Sequence, residues 1–450
     1  MIRLNLVALH IFFFLSTIFF FEKVDHTNLA LSLLISFLIL NEYFNDKFYF
    51  LTANKIFLIG GYYYLVIFPI FYSIGFIKAE TFVSSDLTLA CVVSLFSVTG
   101  YIIGRNIYLF YSPIINYNFR NNIYDFQGFG KRKIDSFVLT IFFIISTILI
   151  LLFKSIAVFL NLSLLVVLFS YTYLTVKNPK LKNFLLLVIF AYSSFLTLSI
   201  TENRIEVIKI FISGLFLYLF LSKKRIKMTY ILFFLSIGFI GVIYVTVMRT
   251  WSLEADLGVD NIFEAFTVIF NRNNGLLGLI LALGDIGIAY DNLIYLIREL
   301  NLSGLLMGST LIRPLLILIP RSLWASKPSD TQILIVEKRL GEGLSEFGGG
   351  TSQSITLSGD FFWNFSYFGV FMGFLFFGFL IMLFDKKTHY CNSLSSLILI
   401  GVSIPFFFVV WRGAFSSQLI YTLFSIMPLL GLILIHKFFK EFKISINKNL

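Results

Sequence analysis

The segment RPLLILIPRSLWASKPSD (Arg313–Asp330), followed later by FGGGTSQSITLSGDFFWNFSYFG (Phe347–Gly369), decides how this chain is organised. Proline and glycine interrupt regular structure in both pieces, and basic residues lie next to the prolines. Most of the remaining chain consists of long apolar runs. We therefore expect a segment of irregular but defined backbone outside the membrane, between membrane-spanning helices. An ordinary extramembrane loop is the simpler alternative.

The composition is typical of an integral membrane protein. Of the 450 residues, 58% are hydrophobic and only 13% are charged, whereas about a quarter are charged in soluble domains. The mean hydropathy is +0.89. The net charge of +11 comes from Lys and Arg in short loops, so a nucleic-acid partner is not expected. Two cysteines and four scattered histidines predict no disulfide framework, metal site or cofactor.

We predict an all-α integral membrane protein with about twelve transmembrane helices, because apolar runs of about 17 to 25 residues span a bilayer. In the large loop, the runs 276–289 and 302–318 are apolar but contain glycines and charges, so we expect interfacial or re-entrant helices there. If both crossed the membrane, the count would be fourteen. The predicted spans are 4–21, 29–44, 55–76, 87–110, 137–153, 156–176, 184–200, 205–221, 229–247, 361–384, 394–411 and 418–435.

The distribution of basic residues predicts the orientation. The short loops on one side carry 20 Lys and Arg residues, and those on the other side carry 5. By the positive-inside rule, both termini are then cytoplasmic. This divides the chain into an N-terminal bundle (1–247), a large periplasmic loop (248–360) and a C-terminal group of three helices with a basic tail (361–450).

Charged residues near a bilayer are costly to keep, so each is a functional candidate. Glu206 and Lys209 are three residues apart, a spacing that allows pairing along one helical face. Other basic residues on the predicted outer side lie among Pro, Gly, Asn or Trp. Because a guanidinium binds two phosphate oxygens at once, several on one face suit a pyrophosphate. The candidates are Arg204, Arg272, Arg313, Arg321, Lys327 and Arg412.

Two further features lie just before the tenth predicted span. Successive glycines followed by hydroxyl residues form an anion-binding nest or a flexible hinge; these are Gly348, Gly349, Gly350, Thr351 and Ser352. Asp360 then falls in the first turn of the span. Its carboxylate is either a general base or a favourable partner of the helix dipole.

The motifs Pro320–Pro328 (PRSLWASKP), Gly350–Thr356 and Gly359–Gly369 (GDFFWNFSYFG) resemble those of the Wzy-type O-antigen polymerases, the oligosaccharide repeat-unit polymerases of bacteria. The resemblance is specific over about 50 residues and only architectural elsewhere. The chain departs from the pattern in two places: Asp360 stands where glutamate is more frequent, and Ala325-Ser326 where a Pro-Asp pair is common.

This resemblance implies a metal-independent glycosyltransferase of the inner membrane that joins undecaprenyl-diphosphate-linked glycans at the periplasmic face. Arg321 and Asp360 would be catalytic, and the other basic candidates would bind the diphosphate. Glu346 and Glu202 are the next candidates for the base. A flippase and a chain-length regulator in the same membrane are expected partners. The alternatives are a lipid-linked glycan flippase, an O-antigen ligase, whose large loop usually carries a histidine, and a non-enzymatic transporter.

Overall fold

The computed structural model describes most of the predicted helices and much of the segment that leads into the tenth span. The described residues are 25–45, 52–74, 84–111, 154–200, 204–222, 286–300, 304–317, 319–320, 322–324, 326–340, 353–389 and 394–428, together with residues 144, 264, 267, 430, 431 and 434. Within these ranges the regular elements are helices, and no strand occurs.

The helices are numbered in chain order. They are α1 (His26–Asn45), α2 (Ala53–Leu65), α3 (Ile67–Ser73), α4 (Ser84–Tyr111), α5 (Lys154–Thr175), α6 (Pro179–Ile200), α7 (Arg204–Ser222), α8 (Ile286–Glu299), α9 (Arg313–Leu316), α10 (Thr331–Leu340), α11 (Leu357–His389), α12 (Leu394–Ser403), α13 (Phe406–Val409) and α14 (415–428).

Some of the described helices are long and apolar enough to cross a membrane. They are His26–Asn45, Ala53–Ser73, Ser84–Tyr111 and Leu357–Thr388. The all-helical membrane protein expected from the sequence is confirmed at this level. The count of twelve spans stays a prediction, because 4–21, 229–247 and all but one residue of 137–153 lie outside the described residues.

Helices α4 and α11 pack with their backbones in direct contact. A Cβ atom added at Gly100 would lie 2.6 Å from the carbonyl oxygen of Phe371, and one added at Gly104 would collide with the backbone of Leu375. From the α11 side, Gly378 meets the Tyr101 carbonyl in the same way. Glycine at these positions removes the side chain that would hold the helices apart, as is common in membrane bundles.

Polar contacts at the helix ends show the relative directions of α1, α2, α4 and α11. The Asn28 amide near the start of α1 donates to the Ser84 carbonyl at the start of α4 (3.1 Å). At the other end of α1 and α4, Glu42 forms an ion pair with Arg105. Asp385, near the end of α11, caps α2 by accepting from the Ala53 N–H (2.8 Å). Helices α1, α4 and α11 therefore run one way, and α2 runs the other way.

Helix α11 is broken near its start, which the sequence did not predict. Ser366 has φ +56° and ψ −151°, outside the helical region. In a continuous helix Phe377 would lie about 24 Å along the axis from Phe361, yet the ring centroids of these two residues are 6.0 Å apart. Residues 357–364 therefore fold back against the remainder of α11, and we call them the folded-back segment.

An aromatic cluster fixes the loop that follows α13. The ring of Trp411 lies 4.7 Å from Phe57 and 5.1 Å from Phe374 between centroids, and its indole N–H donates to the Phe57 carbonyl (2.8 Å). Gly60 makes room for it, since an added Cβ would lie 2.5 Å from the Trp411 ring. The backbone carbonyl of Trp411 then accepts from the Leu357 N–H (3.3 Å), which joins this loop to the folded-back segment.

The described part of the large loop packs onto the bundle. The Tyr290 side chain of α8 is fully buried, and its hydroxyl lies 3.2 Å from that of Ser94 in α4. The run 302–318, expected to form one interfacial or re-entrant helix, differs from that expectation between 304 and 317. It consists mainly of turns around the single-turn α9, because Met307 and Gly308 have positive φ and Pro314 restricts the backbone.

Candidate functional site

The candidate site forms where the start of α10 meets the folded-back segment and the start of α14. Asp330 precedes α10 as its N-cap residue: its carbonyl accepts from the Ile333 and Leu334 N–H groups (both 2.9 Å), and its Oδ1 accepts from the Gln332 N–H (3.0 Å). Aspartate is a favoured residue at this position. This capping holds Asp330 and Thr331 in fixed positions facing the neighbouring segments.

Asp360, on the folded-back segment, is fully buried and accepts hydrogen bonds from two other segments and from its own. Its Oδ1 accepts from the Thr331 hydroxyl (2.8 Å) and from the Asn364 amide (3.3 Å). Its Oδ2 accepts from the Phe415 N–H (2.8 Å). Donors aimed at a carboxylate stabilise its ionised form, whereas burial opposes it. Asp360 thus fastens α10 and the 411–415 loop to the folded-back segment.

Arg313, at the start of α9, lies beside the same junction. Its Nη1 donates to Asp330 Oδ2 and to the Ser417 hydroxyl (3.2 Å), and the Ser417 hydroxyl also donates to Asp330 Oδ2. About a quarter of the Arg313 side chain is exposed, 23%. Both bonds to described residues use Nη1, and a guanidinium has five N–H donors. Three N–H donors, on Nε and Nη2, therefore have no partner among the described residues.

A second charged pair lies near the first. Lys209 Nζ is 2.6 Å from Glu206 Oε1 in the first turns of α7, and both side chains are 8% exposed. The pairing expected from their spacing is thus formed. Lys209 Nζ also lies 5.1 Å from the ring centroid of Tyr421. Tyr421, one turn after Ser417 in α14, is within electrostatic range of Glu206, Asp330 and Arg313. The start of α7 is therefore close to the candidate site.

Asn364 docks the segment that precedes α9. Its Oδ1 accepts from the Gly308 N–H (3.0 Å) and the Thr310 hydroxyl (3.1 Å), and its Nδ2 donates to the Asp360 carbonyl (2.8 Å). The backbone carbonyl of Asn364 accepts from the Met307 N–H (3.1 Å). Through these bonds, Asn364 of the motif Gly359–Gly369 holds both Asp360 and the segment that leads to Arg313.

The basic candidates have different surroundings. Arg313 joins the site, and Arg412, half-buried, lies on the loop between Trp411 and Phe415, whose N–H binds Asp360. Arg204 is the first residue of α7, two positions before Glu206. Lys327 Nζ donates to the Ile319 carbonyl (2.9 Å). Among the described residues, Lys327 forms no hydrogen bond with Arg313 or Asp360.

The remaining candidates lie outside the described residues, and their roles stay predictions. They are Arg272, Arg321, Gly348, Gly349, Gly350, Thr351 and Ser352, and the two alternative bases Glu202 and Glu346.

Sequence reasoning missed the residues that connect Arg313 to Asp360. Asp330 and Thr331 follow Pro328 in a short polar run between apolar stretches, and Ser417 follows Arg412 in a similar run. Such runs signal a helix start, and that signal was available. Their pairing was not predictable from spacing, because Ser417 is 87 residues from Asp330 and Phe415 is 55 residues from Asp360.

Comparison of the chain with protein-family models, with curated proteins and with solved structures finds no match.

Proposed function

We propose that this protein polymerises lipid-diphosphate-linked oligosaccharide repeat units at the outer face of a bacterial cytoplasmic membrane. The proposal rests on the sequence resemblance in 320–369 and on the chemistry of the candidate site. The observation that carries it is the position of Arg313. Its guanidinium binds Asp330 through Nη1, and the next residue, Thr331, binds the buried carboxylate of Asp360.

The reaction requires a positively charged group that binds the departing diphosphate. The bond between the anomeric carbon of the growing glycan and its lipid diphosphate breaks, and the diphosphate leaves with the bonding electrons. A hydroxyl oxygen of the incoming repeat unit forms the new bond to that carbon and gives its proton to a base. Arg313, with donors on Nε and Nη2, is suited to bind the diphosphate at two oxygens. Arg412 supplies a further charge on the adjoining loop.

The proposed base, Asp360, serves a second purpose in this arrangement. It is fully buried, and three of its approximately four acceptor positions are used by Thr331, Phe415 and Asn364. One acceptor position, on Oδ2, is left for a substrate hydroxyl, and Oδ1 becomes a second one if Thr331 releases it. We therefore assign Asp360 two roles, fastening the neighbouring segments and accepting the proton.

The test is the fate of lipid-linked glycans in a host that makes the repeat unit and lacks this chain. Loss of a polymerase leaves single repeat units on the outer face and no ladder, and the intact chain restores the ladder. Loss of a flippase instead traps single units on the inner face, and loss of a ligase leaves long lipid-linked polymers. Either of the last two patterns would contradict the proposal.

A further inference from the structure

Three glutamine residues lie close together beside the candidate site, and the side chains of two of them lie at Gly413. A Cβ atom added at Gly413 would lie 3.0 Å from Gln332 Nε2 and would collide with Gln418 Nε2. The backbone N–H of Gln353 donates to the Gln332 carbonyl (3.2 Å). The three residues lie in the first turn of α10, in the segment just before the folded-back segment, and in the first turn of α14. We call Gln332, Gln353 and Gln418 the glutamine cluster.

Two oxygens of the glutamine cluster are buried and have no hydrogen-bond partner within the part of the chain that the structure describes. These are Oε1 of Gln353 and Oε1 of Gln418, and the Gln418 residue is only 5% exposed. Buried polar atoms are almost always satisfied in native proteins, and leaving one unsatisfied is destabilising. Two such oxygens on residues that adjoin a candidate site point to a ligand that supplies the missing donors.

The chemistry of these atoms selects the class of ligand. An amide oxygen carries a partial negative charge and only accepts hydrogen bonds, so it disfavours a phosphate or a carboxylate. It suits a neutral molecule with several hydroxyl donors. Gln332 is partly exposed and follows Thr331, whose hydroxyl binds Asp360. The glutamine cluster therefore belongs to the same junction as the carboxylate, and the basic residues provide a separate place for an anion.

We propose that the glutamine cluster binds sugar hydroxyls and holds a glycan residue next to Asp360. The proposal rests on the polymerase function proposed above and deepens it, because it assigns glycan binding and anion binding to different side chains of one site. In this proposal, Oε1 of Gln418 and Oε1 of Gln353 each accept from a sugar hydroxyl.

The test measures glycan binding by the full-length protein in detergent micelles. The probes are the methyl glycosides of glucose, galactose, N-acetylglucosamine and N-acetylgalactosamine, and the readout is saturation-transfer NMR. Gln418→Met removes the acceptor and keeps the side-chain length, so we expect at least about tenfold weaker binding, the factor that corresponds to about 1.4 kcal/mol. Gln418→Glu keeps an acceptor oxygen and should retain binding. Thr422→Val, one turn further along α14, is the matched control.

Thermal unfolding adds a second readout. If Oε1 of Gln418 is unpartnered without ligand, Gln418→Met raises the unfolding midpoint, because it removes a buried unsatisfied group. A lower midpoint with unchanged glycoside binding would show a purely structural glutamine and overturn the inference. So would the absence of saturation transfer to the unsubstituted protein with every probe, since the two oxygens would then bind only water.

The two proposals fail separately. If Gln418→Met leaves glycoside binding unchanged while the protein still makes a glycan ladder in cells, the glutamine cluster is not the sugar site and the polymerase proposal stands. If the glycosides bind and Gln418→Met abolishes binding while no ladder depends on the protein, the sugar site stands and the polymerase proposal is wrong.

Discussion

Replacing Arg313 tests the proposed binding of the leaving diphosphate. Arg313→Ala removes a guanidinium whose Nε and Nη2 donors have no partner among the described residues. Removing one electrostatic contact to charge that develops in the transition state costs about 3–4 kcal/mol of barrier, or about 10²–10³ in rate. We therefore expect cells with Arg313→Ala to accumulate single lipid-linked repeat units. Arg313→Lys should restore only part of the ladder, because a point charge lacks the paired donors of the guanidinium.

The structure also predicts that Arg313→Ala leaves the protein folded. Asp330 loses one partner but keeps the Ser417 hydroxyl and the Gln332 N–H. Since the Arg313 side chain is 23% exposed, we expect a loss of about 1 kcal/mol in the free energy of unfolding, near the upper end for partly exposed ion pairs. Protein level in the membrane should therefore be close to normal.

The assay compares ladders of lipid-linked glycans at matched protein level. Arg298→Ala is the control, because Arg298 is also in the large loop, is 43% exposed and pairs with its neighbour Glu299. It should give a normal ladder. If Arg313→Ala gives a ladder equal to that of Arg298→Ala, Arg313 serves only to hold Asp330, and the assignment of the diphosphate to this residue is refuted.

Three further predictions concern other parts of the chain. Arg321→Ala should abolish the ladder while the protein still inserts normally, as the resemblance of Pro320–Pro328 implies; a normal ladder would leave the residue a structural role. Gly104→Ala should lower the free energy of unfolding in detergent by about 1–3 kcal/mol because the added Cβ collides with the Leu375 backbone. Gly431→Ala, where no described atom lies within 4 Å of the added Cβ, should have no effect. Partial burial raises the pKa of Asp25, but hydrogen bonds from Ser84 and Asn28 outweigh it, and the pKa lies below its usual value. The stability that Asp25 contributes is then present above the unfolded-state pKa of about 3.9 and is lost as the pH falls through the lower folded-state value. Asp25→Asn should therefore narrow the stability difference between pH 6 and pH 3, and an unchanged difference would contradict this.

The long helices were predictable because their signal is local. Apolar runs over 29–44, 55–76 and 87–110 correspond to α1, to α2 with α3, and to α4, since a run of that length buries its backbone polar groups only as a helix. The break in α11 was not predictable in the same way. The run 361–384 is apolar without interruption, and Ser366 is neither glycine nor proline, the residues that usually mark a break.

The candidate site was predictable only in part. Arg313, Arg412 and Asp360 stood out because charges in an apolar chain are conspicuous. The neutral residues that connect them carried no such signal: Thr331 and the glutamine cluster are ordinary polar residues in the printed sequence. The role of these residues depends on contacts between segments that are far apart in the chain. Hydrophobic periodicity does not indicate which segments come into contact.

Asp330 and Thr331 are consecutive residues, and this adjacency limits how the site can change. Asp330 holds Arg313, and Thr331 holds Asp360, so the cation and the acid are tied to Cα atoms about 3.8 Å apart. A shift of the first turn of α10 moves both contacts in the same direction and at the same time. Insertions or deletions before Pro328 would shift neither residue relative to the other, whereas one inserted residue between them would uncouple the pair. A library of insertions across 326–333 should therefore be tolerated before Pro328 and not tolerated from the peptide bond between 330 and 331 onward, because later insertions also break the cap that Asp330 forms on α10.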